Sequence, residues 1–197
     1  MQPFDCTQSI ILENERTRLT PLQLEEAPKL HHIALVEKDL LGLSPSSIHT
    51  EELLEKYIET ALQAKAKHIR YPFLIFDKQQ QQYAGSTSFG NISNPNARIE
   101  IGWTWIGTNF QRTGLNRANK FLMLQYAFET LGFERVELKT DGRNLQSRTA
   151  MEKIGATPEG ILRSHTVMSD GYRRDTHYYS ILKSEWHKIK RDIFGVQ

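Results

Sequence analysis

The spacing of apolar residues changes from helical to strand-like in the first half of the chain. Residues 16–20 have the pattern of a short strand, and apolar positions between residues 24 and 34 then recur at helical spacing, with Pro28 expected in or near the first turn. A second helix is predicted after Thr50, where two glutamates suit the positive end of a helix. Three strand-like runs follow, separated by polar turns: residues 73–76, 83–92 and 97–107.

The second half alternates between helices and strands. The pattern predicts a long helix over about residues 114–131 and a short one with Asn144 as N-cap and Gly155 as C-cap. The strands predicted around them are residues 135–140, 161–168 and 174–182, the last two flanking an Asp-Gly turn. This order predicts a mixed α/β fold with flanking helices and about seven mostly antiparallel strands. It contains one βαβ crossover, where ligand sites tend to form.

The composition is that of one ordinary globular domain. The chain has 197 residues, of which 39% are hydrophobic and 24% charged, enough for a core without metal or disulfide support. We interpret residues 1–197 as one domain, with residues 1–15 as an N-terminal tail and residues 184–197 as a polar C-terminal helix. The single cysteine, Cys6, has no partner for a disulfide or a zinc ligand set, which fits a reducing compartment and predicts no metal site.

The formal charge of the chain is nearly balanced. Lys and Arg number 25 against 23 Asp and Glu, and a net charge of +2 is too small a basic excess for non-specific binding to nucleic acid or a membrane surface. The first basic residue is Arg16, so the start lacks the basic region of a signal peptide, and no apolar run approaches the roughly 18 residues of a membrane span. A cytoplasmic protein without nucleic-acid or membrane partners is therefore expected.

Positive charge is concentrated where the long helix begins. Arg112, Arg117 and Lys120 lie within nine positions, and residues 101–128 contain no acidic side chain. They surround a glycine-containing turn at residues 111–116, and the free N–H groups and dipole of a helix start favour phosphate oxygens. The alternative is an exposed turn with a few solvated basic residues. The motifs of a P-loop and of a dinucleotide-binding fold are both absent from the sequence.

Together with the order of elements, this turn resembles the Gln/Arg-x-x-Gly-x-Gly/Ala pyrophosphate loop of the GNAT superfamily of acetyl-CoA-dependent N-acetyltransferases. It reads Gln111-Arg112-Thr113-Gly114-Leu115-Asn116, with Asn116 where the family has Gly or Ala. Other motifs are similar to the branch that acetylates the N-termini of ribosomal proteins: Glu100-Ile-Gly-Trp103, Asn144-Leu-Gln-Ser147, Glu152-Lys-Ile-Gly155-Ala and Glu159-Gly160. The resemblance covers roughly residues 16–185.

The resemblance implies which residues bind acetyl-CoA. The pantetheine arm is expected along the fourth predicted strand, where a backbone N–H would also stabilise the oxyanion. The residues concerned are Trp103, Thr104, Trp105 and Ile106 for the arm, Gln111, Arg112, Thr113, Gly114, Leu115, Asn116 and Arg117 for the diphosphate, and Asn144 and Ser147 for the pantetheine. For the two tryptophan side chains, period-2 alternation favours another interpretation, a core face shared with Ile99 and Ile101.

The same alternation assigns Glu100, Gly102, Thr104 and Ile106 to the opposite face of the strand. A carboxylate between two isoleucines is costly to bury unless it is paired. Glu100 is therefore a candidate to accept the proton of an acceptor amine, directly or through water, or to hold its ammonium group. A salt bridge to a neighbour such as Arg98 is the alternative.

A general acid is expected at the start of the short helix. Ser147 lies one turn after Asn144, and the resemblance makes its hydroxyl the candidate to protonate the leaving thiolate. Capping by Asn144 and ordinary helix packing by Ser147 are the alternatives. Tyr178 and Tyr179 are second candidates for the acid, with ordinary core packing as the alternative. His165 is a further candidate, with an incidental position on a strand as the alternative. The only cysteine has no neighbouring base, so direct attack by the amine in a ternary complex is expected.

The sequence thus predicts an acetyl-CoA-dependent N-acetyltransferase that acts on a primary amine. The loops expected to line the amine pocket, residues 40–49 and 167–174, have no dominant charge pattern. A protein N-terminus and a small-molecule amine therefore both remain open as acceptors, and so do a monomer and a homodimer. The alternative, motivated by Asn116, is a catalytically silent CoA-binding or regulatory module of the same fold.

Overall fold

The computed structural model describes residues 2–168 and 170–196. The strands in this part of the chain are β1 (Leu12–Glu13), β2 (Thr17–Pro21), β3 (Arg70–Asp77), β4 (Gln82–Ser93), β5 (Arg98–Ile106), β6 (Arg135–Asp141), β7 (Thr157–Val167) and β8 (Arg173–Leu182). The α-helices are α1 (His31–Ala34), α2 (Glu51–Ala66), α3 (Leu115–Gln125), α4 (Leu145–Lys153) and α5 (Lys183–Asp192). Shorter 3₁₀ segments cover Leu24–Leu30 and Thr108–Phe110, and a π-helical turn covers Tyr126–Thr130.

The strands form one eight-stranded sheet in the order β1-β2-β3-β4-β5-β6-β8-β7. Only the β5–β6 pair is parallel, and α3 makes the crossover between these two strands. The mixed α/β fold with one crossover is therefore confirmed. The strand beyond the seven predicted is β1, whose two residues pair with β2.

The parallel pair is short and then opens. Residues 98–100 of β5 pair with residues 135–137 of β6, but β5 continues to Ile106 and β6 to Asp141. The two strands therefore part as they run and leave a groove between them. Because α3 follows β5 and α4 follows β6, both helices begin toward the open end of this groove, where open α/β sheets bind ligands.

A β-bulge interrupts β5 along the groove. Two residues of β5, Trp103 and Thr104, face the single residue Thr87 of β4. Trp103 has a φ of 50°, in the left-handed region that a side chain rarely adopts. The extra residue breaks the alternation of faces, so side chains beyond Gly102 no longer lie where period 2 assigns them.

Two predicted helices differ from the helices observed. The first, over residues 24–34, is divided into the 3₁₀ segment Leu24–Leu30 and α1, and Pro28 lies inside the 3₁₀ segment instead of in the first turn. Proline lacks the N–H that a continuous α-helix requires at this point. The long helix predicted over 114–131 is α3 followed by the π-helical turn.

Helix α2 is confirmed where it was predicted. Thr50 caps it, because its Oγ1 accepts a hydrogen bond from the N–H of Leu53 at 3.2 Å. The buried positions of this helix recur at helical spacing and pack the helix on β3: Leu54, Tyr57, Ile58 and Ala61.

Both ends of the chain contribute to the core. In the segment predicted as an N-terminal tail, Phe4, Cys6 and Ile10 are buried, and Phe4 packs edge-on against Tyr71. The C-terminal helix predicted as polar is amphipathic, with Trp186 buried on one side. Across the described residues, no helix combines the length and apolar character needed to cross a bilayer.

Candidate active site

The loop before α3 leaves backbone donors free. Gly114 has a φ of 88° and immediately precedes the helix, and a Cβ added there would meet nothing within 4 Å. Within the described part of the chain, the N–H groups of Gly114, Asn116 and Arg117 have no hydrogen-bond acceptor. Free N–H groups at the positive end of a helix are suited to an anionic oxygen.

The first turns of α3 also carry buried polar atoms without partners. Both side-chain polar atoms of Asn119, which is 1% exposed, and the Oδ1 of Asn116 make no hydrogen bond to the described chain. Asn116 lies inside the helix, so the left-handed positions of the loop are Arg112 and Gly114. Buried polar atoms of this kind call for a ligand or water. The residues present therefore fit a polar ligand at the start of α3.

The basic cluster predicted around this loop is dispersed in the fold. Arg112 is exposed at the loop, but Arg117 donates to the carbonyl of Ile193 and lies over the ring of Phe194. The Nζ of Lys120 is buried and donates to Thr104 Oγ1 of β5. Arg117 therefore presents only its backbone to the loop, because its side chain is drawn to the C-terminal segment.

The starts of α3 and α4 are joined across the open end of the groove. The Nε2 of Gln146 donates to the Oε1 of Gln111 at 2.9 Å, and Asn144 caps α4 by accepting from the N–H of Ser147 at 2.9 Å. The predicted capping by Asn144 is confirmed, and Gly155 follows the last residues of α4 with a φ of 89°. The fold thus brings the predicted diphosphate loop and the Asn144–Ser147 turn together.

Because of the bulge, the side chain of Trp103 lies on the opposite face of the sheet from the one predicted. Its indole lies over Gly90, where an added Cβ would be 2.1 Å from the ring, and Gly90 is paired with Glu100 in the sheet. Trp103 therefore shares the face of Glu100, whereas alternation assigns it to the core face. Thr104, which alternation assigns to the face of Glu100, lies on the other face, since its hydroxyl accepts a hydrogen bond from Lys120 of α3. Trp105 is buried, with 4% of its surface exposed, but it pairs with Ser86 and packs against Tyr57 of α2. It therefore lies on the face of Glu100 and not, as alternation assigns it, on the face of Ile99 and Ile101.

Glu100 is buried and paired at the point where β5 and β6 part. It is 2% exposed, accepts a hydrogen bond from Asn91 Nδ2 at 2.6 Å, and lies 2.9 Å from Lys139 Nζ. The salt-bridge alternative is therefore present, but with Lys139 of β6 as partner; Arg98 pairs instead with Glu137 at 3.0 Å. These contacts hold the Glu100 carboxylate between Asn91 and Lys139 at the base of the groove.

A cleft of about 620 Å³ opens beside this carboxylate. Its lining combines both charges with polar and aromatic groups: His68, Asn91, Arg98, Glu100, Glu137 and Tyr178. A cleft with a buried carboxylate at its wall can receive an amine.

The two tyrosines named as alternative acids have different surroundings. Tyr179 is 1% exposed and its hydroxyl donates to Glu152 Oε1 at 3.2 Å, so it is committed to packing. Tyr178 lines the cleft, and its ring lies 6.1 Å from that of His165. His165 in turn contacts Thr176 Oγ1 through its Nδ1 at 3.0 Å. Of these side chains, Tyr178 is the one beside Glu100.

Sequence reasoning missed the residues that reach the bulge and Glu100 from elsewhere in the chain. Arg70, 5% exposed, donates through Nη2 to the Tyr57 hydroxyl at 2.7 Å and lies over the Trp103 ring. Burial lowers the pKa of the Lys120 amine to about 7. Nothing in local spacing identifies these contacts: the sequence placed Lys120 in the basic cluster at the start of α3, and Arg70 and Tyr57 come from elements distant from the bulge along the chain.

The single cysteine, Cys6, is buried away from this site's chemistry as a free thiol. Burial raises the pKa of the Cys6 thiol to about 11, which disfavours the thiolate that an acyl-enzyme requires. No three His, Cys, Asp or Glu side chains among residues 2–168 and 170–196 are grouped to hold a metal ion.

Comparison with known proteins gives consistent matches. A family model described as an acetyltransferase (GNAT) domain matches residues 16–157. Two proteins of Bacillus subtilis (strain 168) are similar in sequence. "Putative ribosomal N-acetyltransferase YdaF" is 36% identical over 90% of this chain and 97% of its own length, and "Uncharacterized N-acetyltransferase YnaD" is 30% identical over 77% and 85%. The crystal structure of a GCN5-related N-acetyltransferase from Brucella melitensis is similar with a TM-score of 0.89 and 29% identity, covering 99% of this chain and 88% of that one.

Proposed function

The chain belongs to the GNAT family of acetyltransferases, and we propose that it transfers the acetyl group of acetyl-CoA to a primary amine by direct attack in a ternary complex. The observation that carries the proposal is the groove between β5 and β6, which has free helix N–H groups at its open end and a buried carboxylate at its closed end. A donor and an acceptor can meet in such a groove from opposite ends.

The donor half of the groove suits the two polar parts of acetyl-CoA. Residues 111–117 would hold the diphosphate, with Arg112 supplying charge and Gly114 supplying space for close approach. Within the described chain, no strand pairs with the β6 side of β5 at residues 103–106, so this backbone is free to bond the pantetheine amides. Asn144 and Ser147 would contact the same arm from the start of α4, which the Gln111–Gln146 hydrogen bond holds nearby.

The reaction requires two proton transfers. The neutral amine attacks the thioester carbonyl, the carbon–sulfur bond breaks, and the products are an amide and free CoA thiol. We assign the amine proton to Glu100, directly or through water, and the proton that neutralises the thiolate to Ser147. A backbone N–H of the bulged strand would stabilise the oxyanion.

The acceptor amine would occupy the cleft beside Glu100. The name of the relative YdaF favours a ribosomal protein N-terminus as the first acceptor to test, and small-molecule amines are the second. A cytoplasmic location belongs to the same proposal, because that is where such an acceptor would be met. The proposed partners are acetyl-CoA and this amine, for a monomer or a homodimer, with no nucleic acid, membrane or metal ion involved.

The test is release of free thiol from acetyl-CoA by the purified protein. The acceptors are N-terminal peptides of ribosomal proteins, free amino acids, polyamines and aminoglycosides, with mass spectrometry of the acetylated product. The proposal expects turnover with at least one of them, and a large loss of kcat in Glu100→Gln and Ser147→Ala. Thermal stabilisation by CoA without thiol release for any amine would instead favour a silent CoA-binding module. If the protein neither binds CoA nor releases free thiol, both functions are refuted.

A further inference from the structure

Lys120 is buried under the sheet without a carboxylate partner. It is 7% exposed, and no Asp or Glu oxygen of the described residues lies within 4.0 Å of its Nζ. Its neighbours on α3, Leu122, Met123 and Leu124, are buried apolar side chains. A buried amine lowers stability relative to an apolar residue of the same length, so folding alone does not explain a lysine at this position.

Among the described residues, the one hydrogen bond of the Lys120 side chain reaches the bulge in β5. Its Nζ donates to Thr104 Oγ1 at 2.8 Å, and that hydroxyl also shares a hydrogen bond of 2.7 Å with Thr87 Oγ1. Thr87 is the residue of β4 that faces both bulged residues. Lys120 therefore acts on the backbone of β5 through Thr104.

The other face of the bulge is held by a second cation. Arg70 donates to the Tyr57 hydroxyl, which donates to the carbonyl of Trp103 at 3.4 Å. The unusual backbone of Trp103 is thus fixed from both sides, by Arg70 through Tyr57 and by Lys120 through Thr104. A strained conformation persists only where its surroundings determine it in this way.

The bulge lies where β5 has lost its β6 neighbour, so its backbone faces the groove. If the protein transfers acetyl groups as proposed above, this is the backbone that the thioester carbonyl would meet. The direction of an N–H toward a developing oxyanion is then set by the shape of the bulge.

We propose that Lys120 is a positioning residue for acetyl transfer, which holds the bulge of β5 in its active shape through its hydrogen bond to Thr104. It touches neither substrate and acts on the transition state only through the strand. Its loss should therefore lower kcat and leave the KM values for acetyl-CoA and for the amine nearly unchanged.

Four variants test the proposal: Lys120→Met, Thr104→Val, Thr104→Ser, and Lys120→Met combined with Thr104→Val. Lys188→Met, on the exposed side of α5, is the matched control. We expect kcat to fall about tenfold or more in Lys120→Met and in Thr104→Val, with both KM values within about twofold of wild type. Thr104→Ser keeps the hydroxyl and should lose less kcat than Thr104→Val. The kcat of the double variant should be no lower than that of the more impaired single variant, because both single changes break the same hydrogen bond.

Three results would overturn the proposal. The first is an unchanged kcat in Lys120→Met, and the second is a rise in KM that accounts for the whole loss of kcat/KM. The third is a double variant whose loss of kcat is the product of the two single losses. Backbone amide signals of residues 102–105 in ¹H–¹⁵N NMR provide a second measurement that does not depend on turnover. They should move in Lys120→Met and stay in place in Lys188→Met. If the wild-type protein releases no thiol with any acceptor, the proposed function fails, and these signals alone decide whether Lys120 holds the bulge.

Discussion

Replacing Lys120 by methionine should stabilise the protein, and the gain should shrink as the pH rises. The side chain is 7% exposed, and burial lowers the pKa of its amine from 10.5 to about 7. Methionine keeps the length and apolar stem of lysine but has no amine to desolvate. The variant therefore isolates what burial of this one group costs the fold.

The size of the effect follows from linkage between protonation and folding. Because the pKa is lower in the folded chain, the unfolded chain binds more protons between pH 7 and 10.5, and the stability of the wild type rises through that range. The cost of burying the charged amine is about 5 kcal/mol well below pH 7, about 4 kcal/mol at pH 7, about 2 kcal/mol at pH 9 and close to zero above pH 10.5. Loss of the hydrogen bond to Thr104 removes about 1 kcal/mol of the gain.

The assay is urea denaturation of the wild type, Lys120→Met and Lys188→Met at pH 7, 8 and 9, followed by tryptophan fluorescence. Lys120→Met should exceed the wild type by about 3 kcal/mol at pH 7, and the difference should fall by about 1 kcal/mol per pH unit between pH 7 and pH 9. The exposed control should follow the wild type. A variant less stable than the wild type at pH 7, or a difference independent of pH, would refute the reasoning.

Three further predictions test the loop, the bulge and the core. Arg112→Ala should weaken CoA binding in calorimetry by about 1–2 kcal/mol, and more at low salt than at high salt. Gly114→Val should weaken CoA binding further, because its side chain fills the space beside the loop. Equal losses of affinity in the two variants would count against this role of Gly114. Gly90→Ala should lose about 1–3 kcal/mol of stability, because the added Cβ meets the indole of Trp103. Gly160→Ala, whose added Cβ meets nothing within 4 Å, should be as stable as the wild type. Denaturation midpoints compare the two variants. Cys6 should resist alkylation at pH 8 until the protein is unfolded in urea; rapid labelling of the native protein would contradict its burial.

The sequence determined the features that depend on neighbouring residues. The helix after Thr50, the cap at Asn144 and the order of strands follow from periodicity and cap chemistry, which act over a few positions. Gly114 could be assigned to the start of α3 for the same reason. These local signals, in their order, were also enough to reveal the resemblance to the family that the comparisons then established.

Only the tertiary structure decided the surroundings of the candidate catalytic groups. Period 2 assigned both Trp103 and Trp105 to the face of Ile99 and Ile101, and both lie on the opposite face, because the bulge depends on the register between β4 and β5. The partner of Glu100 is Lys139, which is 39 positions away in the chain and comes alongside only when β6 pairs with β5. Pairing across a sheet brings together residues whose separation along the chain carries no periodic signal, so these contacts exist only in the folded molecule.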